Sequence, residues 1–175
     1  MTVDGTDFMI CEPTPFNPIW YSKKFDGPGL RYEVGISIQT GWICWVGGPF
    51  PAGEFPDQEI FKIGLMNYLD DGERVEVDAG YTGNLPIRPK CDYGGNDVWR
   101  IMKGAAWARH KTINRNLKEF GILGQRFRHA RHKHRLIMFA VCAITQSEIL
   151  DGRGTFNIDY CIVRQPTLVI EDIQG

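Results

Sequence analysis

Arg31-Tyr-Glu-Val-Gly-Ile-Ser-Ile-Gln39 alternates strictly, with Tyr32, Val34, Ile36 and Ile38 on one side and smaller or polar residues on the other. A period of two over this length is the mark of a half-buried strand. Thr40-Gly41 turns the chain, and Trp42-Ile-Cys-Trp-Val46 returns as the hairpin partner, broken by Gly47-Gly48-Pro49. On either side the pattern is shorter or changes period. Upstream, Thr2-Val3-Asp4 ends at Gly5, and Phe8-Met9-Ile10 is a second short apolar stretch. Downstream, Asp57 is the expected N-cap of a helix through Leu69, with Glu59 in its first turn. Arg74-Val-Glu-Val-Asp78 is a strand ending just before Ala79-Gly80. Helical spacing then places helices over about 96–120 and 131–149, and a closing strand runs from Thr155 to Val163. Strands and helices interleave, which predicts an α/β sheet flanked by helices.

At 175 residues the chain is the size of one domain. A chain of that length buries roughly 70% of its unfolded surface and needs no covalent staples. Its five cysteines are scattered and odd in number, which disfavours a disulfide framework or zinc ribbon and favours a reducing, intracellular setting. The N-terminus lacks the basic and apolar regions of a signal peptide, and the longest apolar run, Leu136 to Ile144, is too short to cross a bilayer. No membrane partner is expected.

The net charge of −1 conceals a strong asymmetry. Of the 20 Lys and Arg, eleven lie between Arg100 and Arg135, where Glu119 is the only acid. All four histidines fall in the same stretch. Such a block is either a solvated helix face or a surface for a polyanion, and the one-sidedness favours DNA phosphates. Arg115, Lys118, Arg126, Arg128 and Arg131 are the expected contacts. His129, His132 and His134 have a spacing that a transition metal could use. Their reading as part of a wet basic surface is preferred.

Two aspartates have the position needed for metal chemistry. Asp4 follows a short apolar run, and Asp78 ends a strand. Carboxylates at adjacent strand ends can hold Mg²⁺ or Mn²⁺, which take oxygen ligands, although an Asp before Gly is also an ordinary turn residue. The glycine-rich 47–53 segment lacks the Lys-Ser/Thr of a phosphate loop, and no Ser or Cys sits beside a His as a nucleophile would.

Four separated blocks carry a family resemblance: VDGTDF, GPGLRYEVGISIQTGWICWVGGPFPAGEFPD, VEVDAGYTG and ARHKTINRNLKEFGILGQRFRH. In this order, from Val3 to about Phe156, they resemble the nuclease domain of Harbinger-type DNA transposases. The resemblance implies a ribonuclease H-like mixed sheet flanked by helices, over a single domain 1–163 with a tail 164–175. It also implies a DDE site that cuts DNA with a divalent metal, in a nuclear setting. By motif, Asp4 is the first acid and Asp78 the second. The third belongs on the helix, in a block reading His-Glu-x-x-Asn or Glu-Arg-x-x-Gly before Leu-Lys, and here the Glu position is Lys111.

Glu119 lies eight residues on, about 12 Å along the helix and some 80° around it, too far to substitute for a group at 111. An ammonium at that position repels a cation, so the site is expected to be impaired. Asp57 matches a further acidic position of the family, but its N-cap reading is preferred. Asp7 has no role beyond proximity to Asp4. The family pattern also implies a separate DNA-binding region ahead of the nuclease domain, supplied here by a partner protein or lost by truncation. The alternative to an enzyme is a non-catalytic DNA- or partner-binding remnant.

Overall fold

A computed structural model of the chain describes residues 1–78, 81, 85–87, 97–153 and 155–158. Four strands form an antiparallel sheet: β1 (Thr2–Met9), β2 (Tyr21–Ser22), β3 (Gly27–Ile36) and β4 (Ile43–Pro51). Strand β3 is central, paired with β1 along its length and with β4 on its other edge, while β2 joins its first residues. The helices are α1 (Asp57–Ile63), α2 (Asp97–Glu119), the single turn α3 (Gly121–Gly124) and α4 (His134–Leu150).

The expected hairpin is present, but β4 does not stop at Gly47-Gly48-Pro49. It runs on to Pro51 as an edge strand, where a residue without an N–H leaves no ladder bond unmade. Gly48 takes φ +125°, and a side chain there would meet the Arg31 carbonyl and the Tyr32 ring. The two short N-terminal stretches are one strand. The helix expected from Asp57 to Leu69 divides into α1 and a 3-10 turn, Leu65–Tyr68. Of the expected closing strand, Thr155–Ile158 are irregular, and 159–163 with the tail 164–175 lie outside the described residues.

The other edge of β1 is shared by two short parallel pairings. Near its start, Val3 N–H donates to the Glu76 carbonyl and Glu76 N–H to that of Met1. Just past its end, Ile10 pairs with Phe127.

Alternation along β1 and β3 divides the core in two. Phe8, Ile10, Leu30, Tyr32, Val34 and Ile36 face α2 and α4. Val3 faces α1 and packs with Phe61, Leu65, Val75 and Val77. Helix α2 runs alongside β1: His110 meets Thr2, Asn114 reaches Asp4, and Lys118 lies over the Phe8 ring.

Candidate functional site

The Thr2–Glu76 pairing sets the register of the two candidate acids. The strand expected over 74–78 is reduced to single bridges at Val75 and Glu76, and two residues beyond the Thr2–Glu76 bridge Asp78 comes near enough to Asp4 for its charge to act on it. Asp4 faces α2, to which Glu76 is also tied by its ion pair with Lys103 at 3.1 Å. Asp4 is half-buried and Asp78 exposed. Burial pushes the Asp4 carboxyl above the usual carboxylate range, opposed by Lys24 and reinforced by the charges of Asp78 and Asp57.

Asn114 donates from Nδ2 to Asp4 Oδ2 at 3.4 Å, and its own Oδ1 is buried without a hydrogen-bond partner. Turning the amide over would present a neutral oxygen to whatever Asp4 holds. Lys111, Asn114 and Lys118 fall within about 60° of one another around α2. Lys111 therefore stands on the flank of the helix that carries the Asp4 contact, and it is exposed. Glu119 is exposed and paired with Arg115 at 3.5 Å, away from Asp4. Among the described residues no set of three or more His, Cys, Asp or Glu is arranged to hold a metal ion.

Two further cations crowd the site. Lys24 donates to the Gly5 carbonyl at 2.6 Å and lies 4.0 Å from Asp7. The Lys118 ammonium sits 5.4 Å from the centre of the Phe8 ring. Burial there and the nearby Lys24 lower its pKa, against the pull of Asp7 and Asp4.

Asp7 has a larger part than its sequence context suggests. Arg31 grips it at 2.7 and 2.9 Å, and Ser22 donates to it at 2.5 Å. Burial alone would raise this carboxyl, but those bonds hold it below its ordinary range. Asp57 is not the N-cap of α1. Pro56 holds that place, and Asp57, the first helical residue, sits 3.4 Å from Arg31. Its carboxylate fills the space above Gly5, where any side chain on residue 5 would overlap it. Glu33, on this same face, accepts from Trp45 Nε1 at 2.8 Å, and burial raises its pKa to about 7.

The basic stretch divides. Arg109 is buried and donates to the Ser37 carbonyl at 2.9 Å and to that of Ile38, closing the β3–β4 turn. Lys103 pairs with Glu76. Arg115, Arg126, Arg128 and Arg131 are exposed, Lys118 is exposed along its stem with its ammonium partly desolvated over Phe8, and Arg131 stacks on Trp20 at 4.5 Å. Arg126 and Arg128 flank buried Phe127, so the strand-like alternation turns both outward.

Of the three histidines expected on the wet surface, His129 and His132 are there and His134 is not. His110 is buried against Thr2 at 2.8 Å, and His134 is buried against Tyr32 at 2.8 Å within a ring of Phe8 and Phe127. Burial lowers both to about 4, so they are neutral core residues. His129 and His132 are exposed. Sequence reasoning missed Asn114, Lys24 and the Asp7–Arg31–Asp57 network. The available signal was period two along β1, which sends Asp4 and Asp7 to opposite faces.

An open groove of about 670 Å³, lined in part by Thr112, Arg115, Glu119 and Glu148, lies round α2 from Asn114. No helix among the described residues is long and apolar enough to cross a membrane. Comparison with protein-family models, curated proteins and solved structures gives no match to this chain.

Proposed function

We propose that this chain is a ribonuclease H-like domain of DDE-transposase descent that binds DNA through its backbone, with a divalent-metal site impaired by Lys111. The observation that carries the reading is the approach of Asp78 to Asp4, two residues beyond the Thr2–Glu76 bridge, with Asn114 of α2 reaching Asp4 from the same side. An antiparallel sheet with isolated parallel bridges at the free edge of β1, and helices against both faces, is compatible with this reading.

The donor set fits a hard divalent cation in part. Asp4 and Asp78 supply carboxylates, and Asn114 can supply an amide oxygen. The repulsion that Asp78 and Asp57 exert on Asp4 is of the kind a cation relieves. Bound Mg²⁺ or Mn²⁺ would activate water and stabilise a leaving oxygen at a phosphodiester. Lys111 removes one ligand and adds a repulsion. A second reading, a non-catalytic DNA- or partner-binding remnant, is favoured by Lys24 and Lys118, which place positive charge beside Asp4 without an ion.

Phosphate contact carries no base information, so duplex DNA is expected to bind weakly and without sequence preference. Fluorescence anisotropy between about 50 and 200 mM salt measures the contribution of Arg126, Arg128 and Arg131. Replacing all three by Ala should flatten the slope of log K against log salt by about 2–3, near one unit per lost phosphate contact. Unchanged affinity and slope would return the segment to an ordinary solvated surface.

A further inference from the structure

Helix α4 is apolar on both sides. Met138, Val141, Cys142 and Ile149 face the core. On the outer side, Leu136 is 74% exposed, Leu150 61%, Ile144 49% and Phe139 41%. The small residues Ala140, Ala143 and Ser147, also exposed, lie between them. At 100° per residue these seven positions occupy about 140° of arc. A surface helix of a globular protein ordinarily keeps that side polar.

We propose that this face pairs with the same face of a second copy of the chain, the two α4 helices antiparallel about a two-fold axis at Ala143. Leu136, Ala143 and Leu150 recur every seven residues, the spacing of a seam made for another helix. A two-fold pairing uses one self-complementary patch, and the small residues at its middle let the backbones approach closely. Charge selects the antiparallel direction. Lys133 precedes α4 and Asp151 follows it, and both border the stripe on the same side. An antiparallel crossing at Ala143 sets each Lys133 beside the second copy's Asp151 and opposes the helix dipoles. Arg153 also holds one oxygen of Asp151 at 2.9 Å, and Asp151 together with Glu148 leaves this end without the excess of positive charge that an anionic lipid surface requires.

One helix pair about 25 Å long buries less than a standard interface, so a micromolar dimer is expected. Sedimentation velocity on the full chain from about 1 to about 200 µM brackets such an affinity and should show monomer passing to dimer. Ala143→Glu puts two carboxylates face to face on the axis. It should weaken association at least about tenfold and leave the thermal melt unchanged, since position 143 is exposed. Lys133→Glu and Asp151→Lys should each weaken the dimer, and an equimolar mixture of the two variants should restore it. A native chain that stays monomeric throughout, or an Ala143→Glu variant that associates like the native, would overturn the proposal. So would a mixture no better than either variant alone, because only antiparallel self-pairing makes the two changes compensate.

Discussion

Asp4 and Asp7 stand three residues apart on one strand and serve different ends. Asp7 turns toward α1, where Arg31 and Ser22 satisfy it, and its pKa falls. Asp4 turns toward α2, where a long hydrogen bond from Asn114 and one from the Gly5 backbone do not offset its burial, and its pKa rises. A buried acid whose oxygens are all answered belongs to the scaffold. One left short beside other carboxylates is a candidate for binding something. The scaffold acid also supports the other: Asp57 completes the Arg31 network and presses on Gly5, the residue after Asp4.

The sharpest way to break this contrast is to neutralise each acid in turn. Asp7→Asn leaves the half-buried Arg31 guanidinium with Asp57, 3.4 Å away, as its remaining charge partner, so it should cost about 3 kcal/mol of stability. Asp4→Asn removes a carboxylate that burial and its neighbours disfavour, so the melting temperature should hold or rise. Denaturant unfolding of the two variants decides it. Equal losses would mean that Asp4 is as structural as Asp7.

A smaller effect separates the faces by pH. His110 and His134, on the α2 and α4 face, have folded pKa values near 4, below the ordinary 6.5. The unfolded chain therefore takes up protons first, and their stability contribution is lost as pH falls from about 6.5 toward 4. Glu33, on the α1 face, is raised from 4.5 to about 7. Its contribution is present below 4.5 and lost as pH rises through 7. Two rings against one carboxyl should leave a net loss on the order of a few kcal/mol between pH 6.5 and 4. Melting curves across that range, with imidazole NMR shifts, check it. Rings that become charged near pH 6.5 would contradict the buried, neutral assignment.

Local pattern revealed elements whose partners are near in sequence. Tyr32, Val34 and Ile36 alternate cleanly, and the turn at Gly41 is two residues from the returning strand. Strand β1 was harder to read because Asp4, Thr6 and Asp7 interrupt its apolar pattern. Their roles depend on residues far along the chain: Asn114 for Asp4 and Arg31 for Asp7. His134 and Arg109 look like surface cations in a basic stretch. Each is buried because a partner about 70–100 residues away receives it: Tyr32 for His134, and the Ser37 and Ile38 carbonyls for Arg109. Such satisfaction at a distance leaves no periodicity to read.

The central proposal is that Lys111, on the helix flank shared with Asn114, stands where a third metal ligand would join Asp4 and Asp78. Calorimetric titration of Mn²⁺ into native protein, Lys111→Glu and Lys111→Glu/Asp78→Ala, compared at equal fold stability, tests it directly. The change removes a repulsion and adds a carboxylate on the flank shared with Asn114, so Lys111→Glu should bind Mn²⁺ at least about tenfold more tightly. Adding Asp78→Ala should abolish that gain. If Lys111→Glu binds Mn²⁺ no better than the native chain, Lys111 does not stand at the third-ligand position and the account of this site is wrong.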